Sequence, residues 1–149
     1  MARNYKQGKF APTRPEKYIG DPTQVVYRSG WERKMMRKLD ESSTILGWSS
    51  ETVIIPYISP VDGRAHRYFV DFLVVAKSPN GDKIVTLIEV KPYAQTIQPV
   101  KTARKTKERF MSEIATYAVN QAKWAAAEAY CVKRGWKFTV LTENDINFV

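Results

Sequence analysis

Apolar residues recur along this chain in rhythms that change from segment to segment, and the changes predict its elements. Trp31, Met35 and Leu39 recur at helical spacing, and Ser29-Gly30-Trp31-Glu32 in front of them has the form of a capping box. A helix is therefore expected from Ser29 to about Glu41–Ser43. Thr52–Tyr57 is rich in β-branched residues and reads as a strand. A turn at Pro60-Val61-Asp62-Gly63 leads to a second strand, Arg67–Val75, whose apolar stretch is almost continuous. Pro79-Asn80-Gly81-Asp82 is a second turn, and Lys83–Lys91 a third strand. These three strands are expected to form an antiparallel meander.

Pro92 to Pro99 reads as a loop. From about Thr102 to Arg134 the pattern returns to helical spacing, in one helix or two, with Phe110, Ile114, Tyr117 and Trp124 on one stripe. Gly135 stands where a glycine would end that helix. Trp136–Leu141 alternates as a fourth strand, and Thr142–Asp145 can open a short last helix. The order is helix, three strands, helix, strand, which indicates an α/β sandwich around a mixed sheet. Residues 1–24, with three prolines and two glycines, read as a basic irregular arm ahead of a single domain over 25–149.

Composition narrows the chemistry. One histidine (His66) and one cysteine (Cys131) cannot build a Cys/His zinc site or an internal disulfide. There is no G-x-S-x-G, no P-loop and no G-x-G-x-x-G. No apolar run approaches the ~20 residues of a membrane span, and no secretory leader is read, so a reducing cytoplasm is expected. The chain has 24 basic and 15 acidic residues, a net charge of +9. The excess is clustered. Arg3, Lys6, Lys9, Arg14 and Lys17 face Glu16 alone within residues 1–20, and Lys101, Arg104, Lys105, Lys107 and Arg109 face Glu108 alone within 101–109. Clusters of this kind suit phosphate contacts, and double-stranded DNA is the partner they imply. Arg64, His66 and Arg67 precede the second strand and are added to that DNA-binding set.

Two acids interrupt apolar strands. Asp71 lies between Val70 and Phe72, and Glu89 between Ile88 and Val90. A carboxylate inside a sheet is costly unless it is paired or bound to a metal. Strand alternation places Glu89 and Lys91 on one face, and the hairpin brings Asp71 towards them. Two carboxylates suit Mg²⁺, for which Mn²⁺ can substitute, and an adjacent lysine can orient or deprotonate a water or offset charge on phosphorus. The structural alternative is an ion pair at a sheet end.

Tyr68-Phe69-Val70-Asp71 followed by Glu89-Val90-Lys91 resembles the PD-(D/E)XK nuclease signature, with Val70 in place of the usual proline. Around it stand Tyr27-Arg28-Ser29, Trp31-Glu32, Leu39-Asp40, Trp48-Ser49-Ser50-Glu51, Ile55-Pro56-Tyr57, Asp62-Gly63, Arg109-Phe110-Met111 and Asn120 to Trp124. The whole, from about Tyr18 to Glu143, resembles the head-completion nucleases of large tailed bacteriophages and, more distantly, the TnsA-type transposon endonuclease subunit. The resemblance implies a restriction-endonuclease-like sandwich, with a mixed sheet and antiparallel meander flanked by helices. It implies a Mg²⁺-dependent endonuclease that processes packaged DNA late in head completion, before tail attachment. Asp71, Glu89 and Val90 would serve as metal ligands, and Asp71, Glu89 and Lys91 as the catalytic centre.

The same resemblance offers Glu32 as a further catalytic acid, although Glu32 also fits the capping box of Ser29. It offers Gln121 and Lys123 as residues lining the site. Glu51 reads as a supporting residue, and the tryptophans as core. Expected partners are duplex DNA and phage capsid or head–tail connector proteins, with no membrane; a homodimer is left open. The expected location is the host cytoplasm during infection, with the virion as a second place. Two other readings use the same residues differently. One is a TnsA-like or junction-resolving recombination endonuclease, which should carry a further domain for its partner. The other is a non-enzymatic basic capsid plug, which has no need of the Asp-Glu-Lys set.

Overall fold

A computed structural model describes residues 7–146; Arg3 and Lys6 of the basic arm, and the last three positions of the expected domain, lie outside the described residues. The elements are β1 (Gly8–Lys9), β2 (Val26–Tyr27), α1 (Gly30–Glu41), β3 (Ile45–Ser50), β4 (Ile54–Ile58), β5 (Ala65–Phe69), β6 (Phe72–Lys77), β7 (Lys83–Val90), α2 (Lys107–Arg134), β8 (Lys137–Leu141) and α3 (Glu143–Ile146). The main sheet has the order β3-β6-β7-β8. Its first three strands are antiparallel, and β8 joins β7 in parallel after the α2 crossover. β4 and β5 form a separate two-stranded ribbon.

Strand alternation divides the core in two. Phe72, Val74 and Ile88 face Met35, Met36 and Leu39 of α1, with Trp48 and Val25 among them. Leu87 faces the other way, towards Trp124, Ala127 and Cys131 of α2 and Ile55 and Tyr68 of the ribbon. Glu89 has the parity of Leu87, so its side chain enters the layer beneath α2.

The expected meander exists with different members. Thr52–Tyr57 does not join it; β3 takes the outer place beside β6. Ile45-Leu46-Gly47-Trp48-Ser49-Ser50 has too little alternation, and too much Gly and Ser, to announce a strand. Nor is Arg67–Val75 one strand. It breaks at Val70-Asp71, where Val70 N–H donates to Val53 at 3.0 Å and Glu51 N–H donates to the Asp71 carbonyl at 3.0 Å. At that break the chain leaves its partner β4 and takes up β3. An unbroken apolar run conceals such a switch, because both halves are apolar in sequence although Phe69 is exposed.

α2 begins later than the spacing suggests and runs unbroken for 28 residues. Thr106 caps its start by accepting from Arg109 N–H at 3.1 Å, and Gly135, at φ 71°, supplies the left-handed residue that ends it. The inward row is Asn120, Trp124, Ala127 and Cys131, whereas Ile114 of the expected stripe is exposed. The first half of α2 flanks the loop after β7 instead, across a groove of about 450 Å³ lined by Ile97, Arg109, Thr116 and Tyr117 among others.

The arm is tied down from residue 7 onwards. β1 pairs with β2, and Tyr18 lies edge-on against Trp48 with ring centroids 4.8 Å apart. Buried Asp40 accepts from Thr13 N–H at 2.8 Å, Thr13 Oγ1 at 2.5 Å and Arg14 N–H at 3.1 Å. Lys17 Nζ donates to the carbonyls of Leu39, Asp40 and Ser42 at 2.7–2.9 Å, a cation at the C-terminus of α1. Lys17 is thus engaged in the fold rather than presented to a partner. Asp40→Ala should lower unfolding free energy by at least about 2 kcal/mol, since it orphans donors at a buried carboxylate. Urea denaturation checks this; an unchanged midpoint would show that the arm is held elsewhere.

Candidate active site

The break between β5 and β6 positions Asp71. Flanked by buried Val70 and Phe72, its half-buried carboxylate turns back to β7, where Oδ2 accepts from Val90 N–H at 2.8 Å. Glu89 lies one residue earlier on β7, is buried, and sits opposite Val140 of β8. Its Oε2 accepts from the Tyr68 hydroxyl and from Trp124 Nε1, the latter at 3.4 Å. Lys91 follows β7 directly; its N–H donates to the Leu141 carbonyl at 2.9 Å, which extends the parallel ladder by one residue.

Two carboxylates this close repel. Burial first, and the negative charge of Glu89 second, push the Asp71 carboxyl up to about 9, and a hydrogen bond between the two groups adds to the rise. Among the described residues no ion pair neutralises either acid. Tyr68 is pushed far up by burial and then by Glu89, so its hydroxyl stays a donor. Lys123, half-buried on α2, is pulled down by burial and then by Lys91, while Glu89 and Asp71 counteract. Two carboxyl groups and two amino groups therefore share one place. Lys123 also lies over the rings of Tyr68 and Tyr57, at 5.6 and 5.8 Å.

Glu32 joins the margin of this group. Ser29 Oγ accepts from Glu32 N–H at 3.1 Å, so the cap is made mainly through the backbone, and Ser29 Oγ reaches the Glu32 carboxylate only at 3.4 Å. The side chain is left to the site, where burial raises its pKa, the Arg28 backbone opposes that rise, and Glu51 adds to it. Its charge is felt at Asp71. It is not grouped with the other two as a third ligand: among the described residues no three His, Cys, Asp or Glu side chains are arranged to hold an ion. Glu51 supports the margin through its ion pair with Arg28 and its strained backbone at φ 57°.

The remaining expected residues fall into two groups. Gln121 is exposed, one position off the inward row of α2, and is not brought to the carboxylates. Arg64, His66 and Arg67 are exposed on the ribbon, with His66 Nε2 2.8 Å from Asp62 Oδ2. Lys101, Arg104, Lys107 and Arg109 are exposed, with Lys101 Nζ donating to the Thr102 and Lys105 carbonyls and Arg109 Nε 3.5 Å from Glu113 Oε2; half-buried Lys105 is 2.7 Å from Glu113 Oε1 and donates to the Val100 carbonyl at 2.8 Å. Val90 packs its side chain against the α1 core, so only its main chain is available to a metal.

The spacing argument passed over Tyr68 and Trp124 as parts of the site. Both are donors to Glu89. A signal existed: a phenol or indole in a core needs an acceptor, and Asp71 and Glu89 were the two acids set inside apolar strands.

The raised Asp71 has a consequence for metal-free protein. Between the unfolded carboxylate value of about 4 and the folded value of about 9, the folded state holds more protons. Stability should then fall as pH rises through that window. Asp71→Asn should flatten the dependence and raise the melting temperature near neutral pH, as read by thermal melts from about pH 5 to about pH 8 in EDTA. A structural ion pair predicts the opposite, a loss of about 3–5 kcal/mol.

The sequence that builds this site is similar to known proteins. Residues 42–143 match the family described as "TnsA-like endonuclease N terminal". The chain is also 43% identical over 142 residues to the "Head completion nuclease" of Enterobacteria phage T4, covering 93% of this chain and 92% of that protein. Asp71, Glu89 and Lys91 all lie inside the matched range, on the α/β frame expected of such a nuclease. The chain belongs to the TnsA-like endonuclease family and is a nuclease of the head-completion kind.

Proposed function

We propose that this protein is a Mg²⁺-dependent DNA endonuclease that processes packaged DNA in phage head completion, before tail attachment. The carrying observation is the pair of carboxylates, Asp71 and Glu89, each fastened by a protein donor at the end of the main sheet. The match to the phage T4 relative over nearly the full length of both chains favours this over the recombination reading.

The residues fit a hard divalent cation. Crowded acids without an ion-paired partner among the described residues favour one, and two carboxylates with the Val90 carbonyl leave positions for the waters that Mg²⁺ retains. A bound ion would supply polarisation of the phosphate and a water more easily deprotonated. Lys91 orients or deprotonates that water, or offsets charge on phosphorus. Lys123 adds a second cation to the same place. Glu32 contributes negative charge at the margin and acts on the ionisation of Asp71. Duplex DNA is the substrate, and a capsid or connector protein brings the enzyme to it.

Supercoiled plasmid incubated with Mg²⁺ or with EDTA tests the chemistry. Cleavage should require the ion, and Asp71→Asn and Glu89→Gln should each reduce it by at least ~10²-fold. Glu32→Gln keeps the cap geometry and should lose cleavage at an unchanged melting temperature. Cleavage in EDTA, or by folded Asp71→Asn at the wild-type rate, would remove the assignment.

DNA binding should depend on the exposed cations. Neutralising Arg104, Lys107 and Arg109 together should flatten the slope of log K against log salt by about 2–3. An unchanged slope would move the DNA surface off this segment.

A further inference from the structure

Tyr68 stands three residues before Asp71 on β5, and its ring is enclosed by Ile55, Val70 and Trp124 of the α2-side core. Its hydroxyl donates to Glu89 Oε2, and Trp124 Nε1 donates to the same oxygen at 3.4 Å. From the other side, Lys123 lies 5.6 Å from the ring centroid. The ring is buried in that cluster with Lys123 over it, and its one polar atom is aimed at one oxygen of one catalytic acid. Asp71 is treated likewise, with Val90 N–H on Oδ2 at 2.8 Å.

We propose that Tyr68, supported by Trp124, is a positioning residue that sets the metal preference of the site by tying down Glu89 Oε2 and presenting Oε1 alone. The proposal rests on the nuclease reading above. Mg²⁺ is small, demands near-octahedral geometry and takes carboxylates through single oxygens; Ca²⁺ is larger and accepts a carboxylate through one oxygen or both. A Glu89 held at Oε2 is restricted to the first manner. A Glu89 released from Tyr68 is free to rotate and to chelate with both oxygens, which suits the larger ion. Partners of ligands outside the metal's own shell fix ligand orientation in this way, and their loss costs metal affinity by about 10–100-fold.

Calorimetric titration of Mg²⁺ and of Ca²⁺ into the metal-free protein, without DNA, tests this. Tyr68→Phe keeps the ring in the core and removes only the hydroxyl. It should retain cooperative melting, lose Mg²⁺ affinity by about 10–100-fold and lose less Ca²⁺ affinity, so that the Mg²⁺/Ca²⁺ preference falls. In a Glu89→Gln background the same substitution should change neither ion further, because the hydroxyl acts through Glu89. Equal losses for both ions, an additive effect in the Glu89→Gln background, or unchanged Mg²⁺ affinity would each overturn the proposal. Should Tyr68→Phe fail to fold, Trp124→Phe removes the second donor on the same oxygen and must lower the same preference; no shift overturns the proposal. Wild-type protein that binds neither ion would instead bring down the metal-dependent reading itself. Normal binding by wild type with no change in Tyr68→Phe removes Tyr68 alone.

Discussion

The structure turns on the burial of two like charges. Asp71 and Glu89 are placed near each other in a region with little water, and nothing among the described residues pairs with either. An arrangement of this kind is costly in a metal-free protein. It is tolerable because each acid has a fixed donor, Val90 N–H for Asp71 and Tyr68 for Glu89, and because Asp71 takes up a proton when the site has no cation. On the reading proposed above, that proton would occupy the place of a bound cation. Acidity, metal affinity and fold stability would then be one linked equilibrium, with pH moving all three together.

The strand switch at Val70-Asp71 makes this placement possible. In a continuous strand, Asp71 would be an ordinary ladder residue with its neighbours fixed by β4. Because the chain changes partner there, the backbone at Asp71 is released from regular pairing, and its carbonyl takes the Glu51 amide instead. The same switch leaves β4 and β5 as a ribbon that carries Tyr68 over Glu89, under the cover of α2. Glu51, in a left-handed conformation, lies at the opposite side of the same junction, with Arg28 drawn onto it. Strain, irregular pairing and perturbed ionisation thus coincide at one point, where the chemistry is assigned.

Much of this could be read from the sequence, and what could not has physical causes. The first helix was legible because its cap, Ser29, and its apolar spacing agree, and Gly135 marked the end of α2; the start of α2 at Thr106 was not read. Asp71, Glu89 and Lys91 were legible because charge inside an apolar strand is rare and therefore informative. β3 was not, since Ile45 and Leu46 are followed by Gly47, Trp48, Ser49 and Ser50, three of them buried in succession, and the segment has no clear period. The switch at Asp71 was hidden by the evenness of the apolar run around it. Tyr68 and Trp124 were hidden for a different reason. Their apolar bodies account for their position in the core, and hydrophobic spacing alone does not reveal the polar atom each one carries.

Charge counting was the least reliable guide, because a basic cluster in sequence is not a basic surface. Lys17 is spent on the C-terminus of α1 and Lys105 on Glu113, so two of the cations counted towards DNA binding hold the fold instead. Conversely, Lys123 was not in either cluster, yet it alone among the basic residues of α2 is drawn into the carboxylate group. Its ammonium faces two tyrosine rings and a second lysine, and burial weakens its hold on a proton. A cation kept beside Lys91 against repulsion needs compensating negative charge, and Asp71 and Glu89 provide it when they are ionised. A doubly charged cation at the carboxylates would reduce that compensation, leaving Lys91 and Lys123 a net attraction for an incoming phosphate. On the proposed reading the two lysines would be best matched to the state in which both metal and DNA are present, and least matched to the empty site that the acids must share with a proton.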